Sequence, residues 1–258
     1  MARSISEIKN ELSLCAFDEL PGFIASYADD DRSGVKSLVK KAEKRIEDFH
    51  NELKRLEAMR EFEHRYGERY EFICGVDEAG RGPFAGPIVA GAAILPKDVD
   101  ILYLNDSKKL SEQRREELFV EIKEKAISFG VGIVSAARID EIGVGKADFE
   151  AMRLAISQLS PQPQFALTDA FLIPDLNIPQ ENIVKGDARS VSIAAASILA
   201  KVTRDHIMEE LDEKYPMYGF KDHKGYGTQF HRDRITEFGP CPEHRMSFLT
   251  NMNESWKK

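Results

Sequence analysis

The stretch that most constrains this chain is FICGVDEAGRGPFAGPIVAGAAIL, residues 72–95. Two apolar runs of strand length flank a turn holding three glycines and two prolines. Runs bounded in this way read as buried strands, yet the first of them ends on two acids, Asp77 and Glu78. Further strand-like segments, FGVGIVSA, FALTDAF and NIVKGD, follow at intervals. Between them lie helix-length segments: one capped by Ser111 and running to about Ser128, one over Lys146–Leu159, and one from Ala188 to about Lys214. The last is dense in small residues at IAAASILA, where close packing is expected. Shorter helices are expected near Thr228–Phe238 and from Glu243 onward. Strands interleaved with helices predict an α/β domain with a mixed β-sheet.

Residues 1–70 have a different texture. From Val39 the apolar positions step through Ala42, Ile46, Phe49, Leu53 and Leu56, with Lys, Arg and Glu on the other faces. That seam predicts a long helix from about Ser33 to Tyr66. It is paired with a shorter one near Ser4–Phe17, whose Ser4 and Glu7 have capping-box spacing. The expected domains are therefore a helical N-terminal extension over 1–70 and an α/β domain over 71–258. The extension is a helical hairpin against the main domain or a docking element for nucleic acid or a protein partner, which the sequence does not name.

No apolar run approaches the roughly 20 residues that span a bilayer, and the charged start MARSISEIKN lacks the apolar stretch of a secretion signal. Cys15, Cys74 and Cys241 are too few and too scattered for a disulfide framework, and Cys74 reads as a small hydrophobe in the first strand. A soluble, cytoplasmic protein without a membrane partner is the expectation. The net charge of −8 argues mildly against a polyanionic partner, but the charge is uneven. Residues 185–258 hold 12 basic and 11 acidic side chains, the first 184 residues 24 and 33. A locally basic groove is compatible with that distribution.

Four acids stand where polar groups need a reason: Asp77 and Glu78 at the end of the first strand, Asp169 closing FALTD, and Asp187 closing VKGD. Carboxylates gathered at one sheet edge repel one another unless protons or cations compensate. Their hard oxygens suit Mg²⁺ or Mn²⁺, and two such ions can clamp the attacking and leaving oxygens of a phosphodiester. Other readings stand beside this one. Asp187 suits an N-cap for a helix starting at Ala188, Asp169 suits a partner for an arginine, and a carboxylate pair also suits a glycosidase acting without metal. A noncatalytic nucleic-acid-binding module would need the basic groove without the acids. The turn Gly80-Arg81-Gly82 adds conformational freedom and a planar cationic fork suited to phosphate.

The stretches GVDEAGRGPFAGPIVAGAAIL, LNDSKKLS, IVKGDARSVSIAAASILAKVTRD, HKGYGTQFH and GPCPEHRMSF, in this order over about residues 71–250, resemble ribonuclease HII. The sister class, ribonuclease HIII, is an alternative hybrid nuclease that matches less well. Its turn after the acidic pair differs from GRGP, and its N-terminal domain contains β-structure. The resemblance implies a ribonuclease-H-like fold with a helical C-terminal part. It implies metal-binding catalytic carboxylates at Asp77, Glu78, Asp169 and Asp187, with Mn²⁺ or Mg²⁺ as cofactor. It further implies that Gly80, Arg81 and Gly82 contact the ribonucleotide 2′-OH, and that Tyr226 packs on the following deoxyribose. Asp106, Ser107 and Lys108 are implied as backbone contacts. The activity implied is endonucleolytic cleavage of RNA in RNA/DNA hybrids, and 5′ to single ribonucleotides in duplex DNA, leaving 3′-OH and 5′-phosphate. Such an enzyme serves ribonucleotide removal during DNA replication and repair. One departure is Ala170, where the family often has glycine after the aspartate.

Among the remaining polar residues, His223, His231 and His244 are expected to be solvated or close to phosphate rather than metal ligands. Lys185, Lys224, Arg232 and Arg245 are expected on the surface, where they could line a backbone groove.

Overall fold

The computed structural model describes residues 3–250 and 252. The chain divides into two compact units, Met1–Glu57 and Ala58–Lys258.

The first unit contains α1 (Ile5–Leu14), α2 (Leu20–Tyr27) and nearly all of α3 (Ser33–Ala58). Ser4 caps α1 in a two-way capping box with Glu7. Its core is Ile8, Leu12, Leu20, Phe23, Val35 and Ala42, with Leu38 and Ile46 against it. The expected pair of helices is thus three, because LPGFIASY turns a further helix whose Leu20 and Phe23 face that core.

The expected single helix over Ser33–Tyr66 is also divided. α3 stops at Ala58 and a separate α4 spans Glu61–Gly67. Tertiary partners at the break account for it. The Arg60 guanidinium donates to the Val99 carbonyl and pairs with Asp100 at 2.7 Å. The Met59 carbonyl accepts the Val191 N–H at 3.2 Å.

The second unit is built on a five-stranded sheet of β1 (Ile73–Ala79), β2 (Ile88–Ile94), β3 (Ser128–Val134), β4 (Phe165–Asp169) and β5 (Gln180–Ile183), in the order β3-β2-β1-β4-β5. β1 pairs antiparallel with β2 and parallel with β4, and β4 is parallel with β5, so the sheet is mixed as expected. Between the strands lie α5 (Glu112–Lys125), α6 (Ala136–Ile142) and α7 (Val144–Ser157). After them come α8 (Val191–Lys214), the short α9 (Phe220–His223) and α10 (Gln229–Phe238). The segment after Glu243 forms only a 3₁₀ turn, Met246–Phe248.

Small residues set the spacing of the layers. A Cβ at Gly91 would lie 2.2 Å from the Ala196 carbonyl oxygen of α8, and one at Gly132 would lie 2.0 Å from that of Ala151 in α7. Helix and strand backbones therefore meet directly on both faces of the sheet, which is why IAAASILA is alanine-rich. Cys74 lies fully inside this core, where burial pushes its thiol up to about 12. Among the described residues no helix is long and apolar enough to cross a membrane.

The start of α8 is fixed from α4. Ser190, not Asp187, is its N-cap, accepting from the Ile193 N–H. The Glu63 carboxylate accepts from the Ser190 hydroxyl at 2.5 Å and from the Ser192 N–H at 3.0 Å, placing negative charge at the positive end of the helix. Phe62 packs with Ile73, Phe165, Leu167, Ile183 and Ile193. Losing this cap and this aromatic ring costs about 4 kcal/mol on ordinary magnitudes. A chain beginning at Ala58 is expected to unfold in urea with the full stability of the second unit, and one beginning at Arg69 to be less stable by about that amount. Equal stability of the two shortened chains would put the boundary at residue 70 instead.

Candidate active site

Strand register brings the acids together. Thr168 lies beside Val76 in the parallel pair, so the next residues, Asp77 and Asp169, stand side by side at the same end of the sheet. Asp169 pairs with main chain rather than arginine, its Oδ1 accepting the Gly186 N–H at 2.7 Å. That bond draws the 3₁₀ turn Gly186–Ala188, and Asp187 within it, to the end of β4. Ala170, directly after Asp169, has φ +57°. This left-handed conformation is what glycine adopts without strain, so the departure noted in the sequence falls where the backbone has a use for glycine.

The acids act on one another through their field. Asp77 is buried, and burial followed by the charges of Glu78 and Asp169 holds its carboxyl well above the usual range, against a hydrogen bond from Ser197. Glu78 is raised by burial and by Asp169, while Arg81 opposes the rise. Asp187, also buried, is raised by burial, then by Asp106 and Asp169. Among the described residues no group of three or more His, Cys, Asp or Glu side chains is arranged to hold a metal ion as it stands. The donor set nevertheless fits a hard divalent cation, being all carboxylate oxygen with mutual repulsion that such a cation would relieve.

Asp77 and Glu78 wall one cleft with the Gly80–Gly82 turn, Ser107, Lys108 and Tyr226. Asp169 and Asp187 are not among the residues that line it. A Cβ at Gly82 would come within 3.7 Å of the Tyr226 ring, so the turn and the exposed tyrosine stand together. Ser107 is buried with its hydroxyl 3.0 Å from that of Ser197, whereas Lys108 is exposed. The Asp106 side chain caps the turn carrying them by accepting the Lys108 N–H.

Several residues here escaped the sequence reading. Asp148 on α7 is 1% exposed and lies 3.4 Å from Arg81 Nε, and one of its oxygens has no hydrogen-bond partner. Burial, then Glu78, pushes it up to about 7. An acid on the same helix face as the buried Ala147 and Ala151 was the available signal. Ser197, Lys201 and Arg204 reach the cleft from one face of α8, at the i, i+4, i+7 spacing.

The basic and histidine expectations need correction. Arg245 is not a groove residue but fully buried, donating to the carbonyls of Gly80, Arg81 and Gly86. His231 and His244 are buried rather than solvated, with their Nε2 atoms 3.0 Å apart. His223 is half-buried and bonded to the Tyr218 carbonyl. Lys224 is paired with Glu209 at 2.7 Å, while Lys185 and Arg232 are exposed.

The raised carboxylates keep their protons to higher pH in the fold than in the unfolded chain. Their stabilising contribution is therefore complete below the unfolded values near 4 and is lost as pH rises through the folded ones, a window that for Asp148 closes at about 7. Asp77→Asn removes one repelling charge. It is expected to raise the metal-free melting temperature at pH 8 by about 2–4 °C, equivalent to about 1 kcal/mol, with a smaller gain at pH 4. Calorimetry at the two pH values checks this, and a lowered melting temperature at pH 8 would contradict the repulsion.

Comparison with known proteins adds the lineage. The family model described as Ribonuclease HII matches residues 74–251, and that described as Ribonuclease HII N-terminal domain matches residues 4–67. The first 70 residues, on which the resemblance was silent, thus have relatives of their own. The chain is 52% identical over 248 residues to a ribonuclease HII of Lachnoclostridium phytofermentans, covering 96% of this chain and 97% of the relative. It is 47% identical over 251 residues to that of Clostridioides difficile, covering 97% and 98%. The crystal structure of the ribonuclease H2 from Pyrococcus horikoshii superposes with a TM-score of 0.60 at 29% identity, covering 72% of this chain and 96% of the other. Sheet order, match and relatives agree: this chain belongs to the ribonuclease HII family and is a ribonuclease H nuclease.

Proposed function

We propose that the chain cleaves the RNA strand of RNA/DNA hybrids and cuts on the 5′ side of single ribonucleotides in duplex DNA, in the service of ribonucleotide removal. The observation that carries this reading is the shared cleft. Mutually repelling carboxylates, the Gly80–Gly82 turn and the exposed Tyr226 ring stand within one nucleotide-sized neighbourhood. A glycosidase pair would not explain the glycine turn or the aromatic platform beside it.

Asp77, Glu78, Asp169 and Asp187 are the residues that would hold divalent cations, Mg²⁺ or Mn²⁺. Two such ions supply charge stabilisation at phosphorus and activation of the attacking water. The protein's own groups do the selecting. RNA differs from DNA by the 2′-OH, so an enzyme choosing RNA must read it. At Gly82 no Cβ stands on the side that faces the Tyr226 ring, so the backbone there can approach that hydroxyl closely, whereas the bare side of Gly80 makes room for Arg204. Arg81 is steadied by Glu78 at 3.5 Å, by Asp148 and by the Phe171 ring at 5.3 Å, and remains exposed enough to meet a backbone phosphate. Exposed Lys108 and partly buried Lys201 give the cleft positive charge for the backbone. The Tyr226 ring lies flat against the next sugar when that sugar lacks a 2′-OH. Products carry a 3′-OH and a 5′-phosphate.

A duplex bearing one ribonucleotide, incubated with and without Mg²⁺ or Mn²⁺, tests the reading. Cleavage 5′ to the ribonucleotide only with metal is expected, and activity in EDTA would refute the carboxylate–metal assignment. Folded Asp77→Asn is expected to lose at least a hundredfold in kcat, in line with the loss of a metal-site partner. Tyr226→Ala is expected to lose about ten- to two-hundredfold in kcat/KM on this duplex, with Tyr226→Phe milder because the ring face makes the contact.

A further inference from the structure

Three histidines converge on the turn that carries Tyr226, and their shorter hydrogen bonds favour one arrangement of protons. The Cys241 N–H points at His244 Nδ1 at 2.9 Å while the Cys241 carbonyl lies farther from it, at 3.3 Å, so that nitrogen takes the shorter bond as an acceptor and the imidazole proton sits on Nε2. His231 Nδ1 lies 3.0 Å from the Tyr226 carbonyl, which can only accept, so His231 carries its proton on Nδ1. Its Nε2 is then a bare acceptor, 3.0 Å from the Nε2–H of His244. The relay therefore runs from the Cys241 N–H through two neutral rings to the Tyr226 carbonyl. His223 works from the other side. Its Nδ1 accepts the Gly225 N–H at 3.2 Å, and its Nε2–H donates to the Tyr218 carbonyl at 2.8 Å.

The turn needs such holding. Lys224 and Gly225 lie in succession at φ +49° and +83°, and a Cβ at Gly225 would strike the Ala85 carbonyl oxygen at 2.4 Å. The same carbonyl of Tyr226 also takes the Thr228 N–H at 2.8 Å, so the peptide after the tyrosine is pinned twice. The rings are enclosed by Tyr218, Phe220 and Phe84, with Cys241 alongside and His223 stacked 4.4 Å from His231. A second proton on His231 would set its Nε2–H against that of His244 at 3.0 Å, and one on His244 would set Nδ1–H against the Cys241 N–H at 2.9 Å. Burial pushes His231 down to about 3 and His244 to about 4, which keeps the relay closed at neutral pH.

We propose that His231 and His244 are positioning residues for Tyr226: their one-proton relay fixes the peptide that aims the tyrosine ring, and so sets discrimination at the sugar after the ribonucleotide. The inference rests on the reading of Tyr226 given above and adds what holds it.

The test compares two replacements of one ring. His231→Asn keeps a donor where Nδ1 stood, within reach of the Tyr226 carbonyl. His231→Gln moves the amide toward the Nε2 position and abandons that carbonyl. The measured quantity is the ratio of kcat/KM on a single-ribonucleotide duplex to that on a continuous RNA/DNA hybrid. His231→Gln is expected to lower the ratio about tenfold, mainly through KM, and His231→Asn to stay within about threefold of the parent. A role in folding alone would lower both activities together and leave the ratio unchanged for both variants, which would overturn the proposal. Tyr226→Ala is run alongside. If it leaves the ratio unchanged, the reading of Tyr226 is what fails. If it lowers the ratio while His231→Gln does not, the relay is refuted and the tyrosine stands. Long-range ¹H–¹⁵N spectra of the unaltered protein give an answer even if the variants do not fold. A neutral His231 protonated at Nδ1 and a neutral His244 protonated at Nε2 are expected down to pH 5. The opposite tautomers, or titration near pH 6.5, would overturn the arrangement.

Discussion

Arg204 and Arg245 are buried cations that spend their donors on main-chain oxygens. Arg204 donates to Pro87, Lys224 and Ala85 at 3.0–3.2 Å. Arg245 donates to Gly80, Arg81 and Gly86 at 2.6–3.0 Å. Taking two guanidinium groups out of water is costly unless nearly every donor is met, and here the acceptors are the carbonyls of one loop, residues 80–87, together with Lys224. Burial, followed by the neighbouring charge of Arg204, pushes Arg245 down to about 9. The loop has no regular structure of its own, and without these forks its carbonyls would be orphaned under the C-terminal turns. With them it becomes a rigid shelf. The Phe84 and Ala85 N–H groups then bond to the Gly225 carbonyl, and Gly86 to Glu243, so three separate turns share one network.

The carboxylate side of the cleft is organised on the opposite principle. There like charges are brought together and left to raise one another. Strand register decides which acids meet. A shift of one residue between β1 and β4 would turn Asp169 to the other face of the sheet. The Gly186 N–H on Asp169 links that register to the turn bearing Asp187, so the last acid is positioned by the third. Repulsion thus marks one wall of the cleft, and cations hydrogen-bonded to main-chain carbonyls lie beneath the other.

The parts of this arrangement written in local sequence were legible. Continuous apolar runs announced β1 and β2, and acids at the ends of such runs marked Asp77, Glu78 and Asp169 as unusual. What sequence could not convey was depth. Arg245 in GPCPEHRMSF and His231 in HKGYGTQFH look like surface residues because their partners are carbonyls and a ring from distant turns, which leave no periodic trace. The same holds for the break at Met59–Arg60. Helix propensity runs through it, and only the Val191 N–H and the Val99 carbonyl, both far along the chain, explain why the helix stops. Asp187 was a fair N-cap on spacing alone, but Ser190 and Glu63 supply that cap and leave Asp187 for the acidic cluster.

The buried arginines also separate two roles that positive charge plays in a protein facing a polyanion. Lys108 and Lys185 stand in solvent, where mobile ions at physiological strength screen them over about 8 Å. Arg204 and Arg245 are enclosed among carbonyls that dissolved ions cannot displace. Raising ionic strength therefore weakens the field of the exposed lysines without disturbing the hydrogen bonds of the shelf. Grip and alignment answer to different solvents, one to the bulk electrolyte and the other to the protein interior.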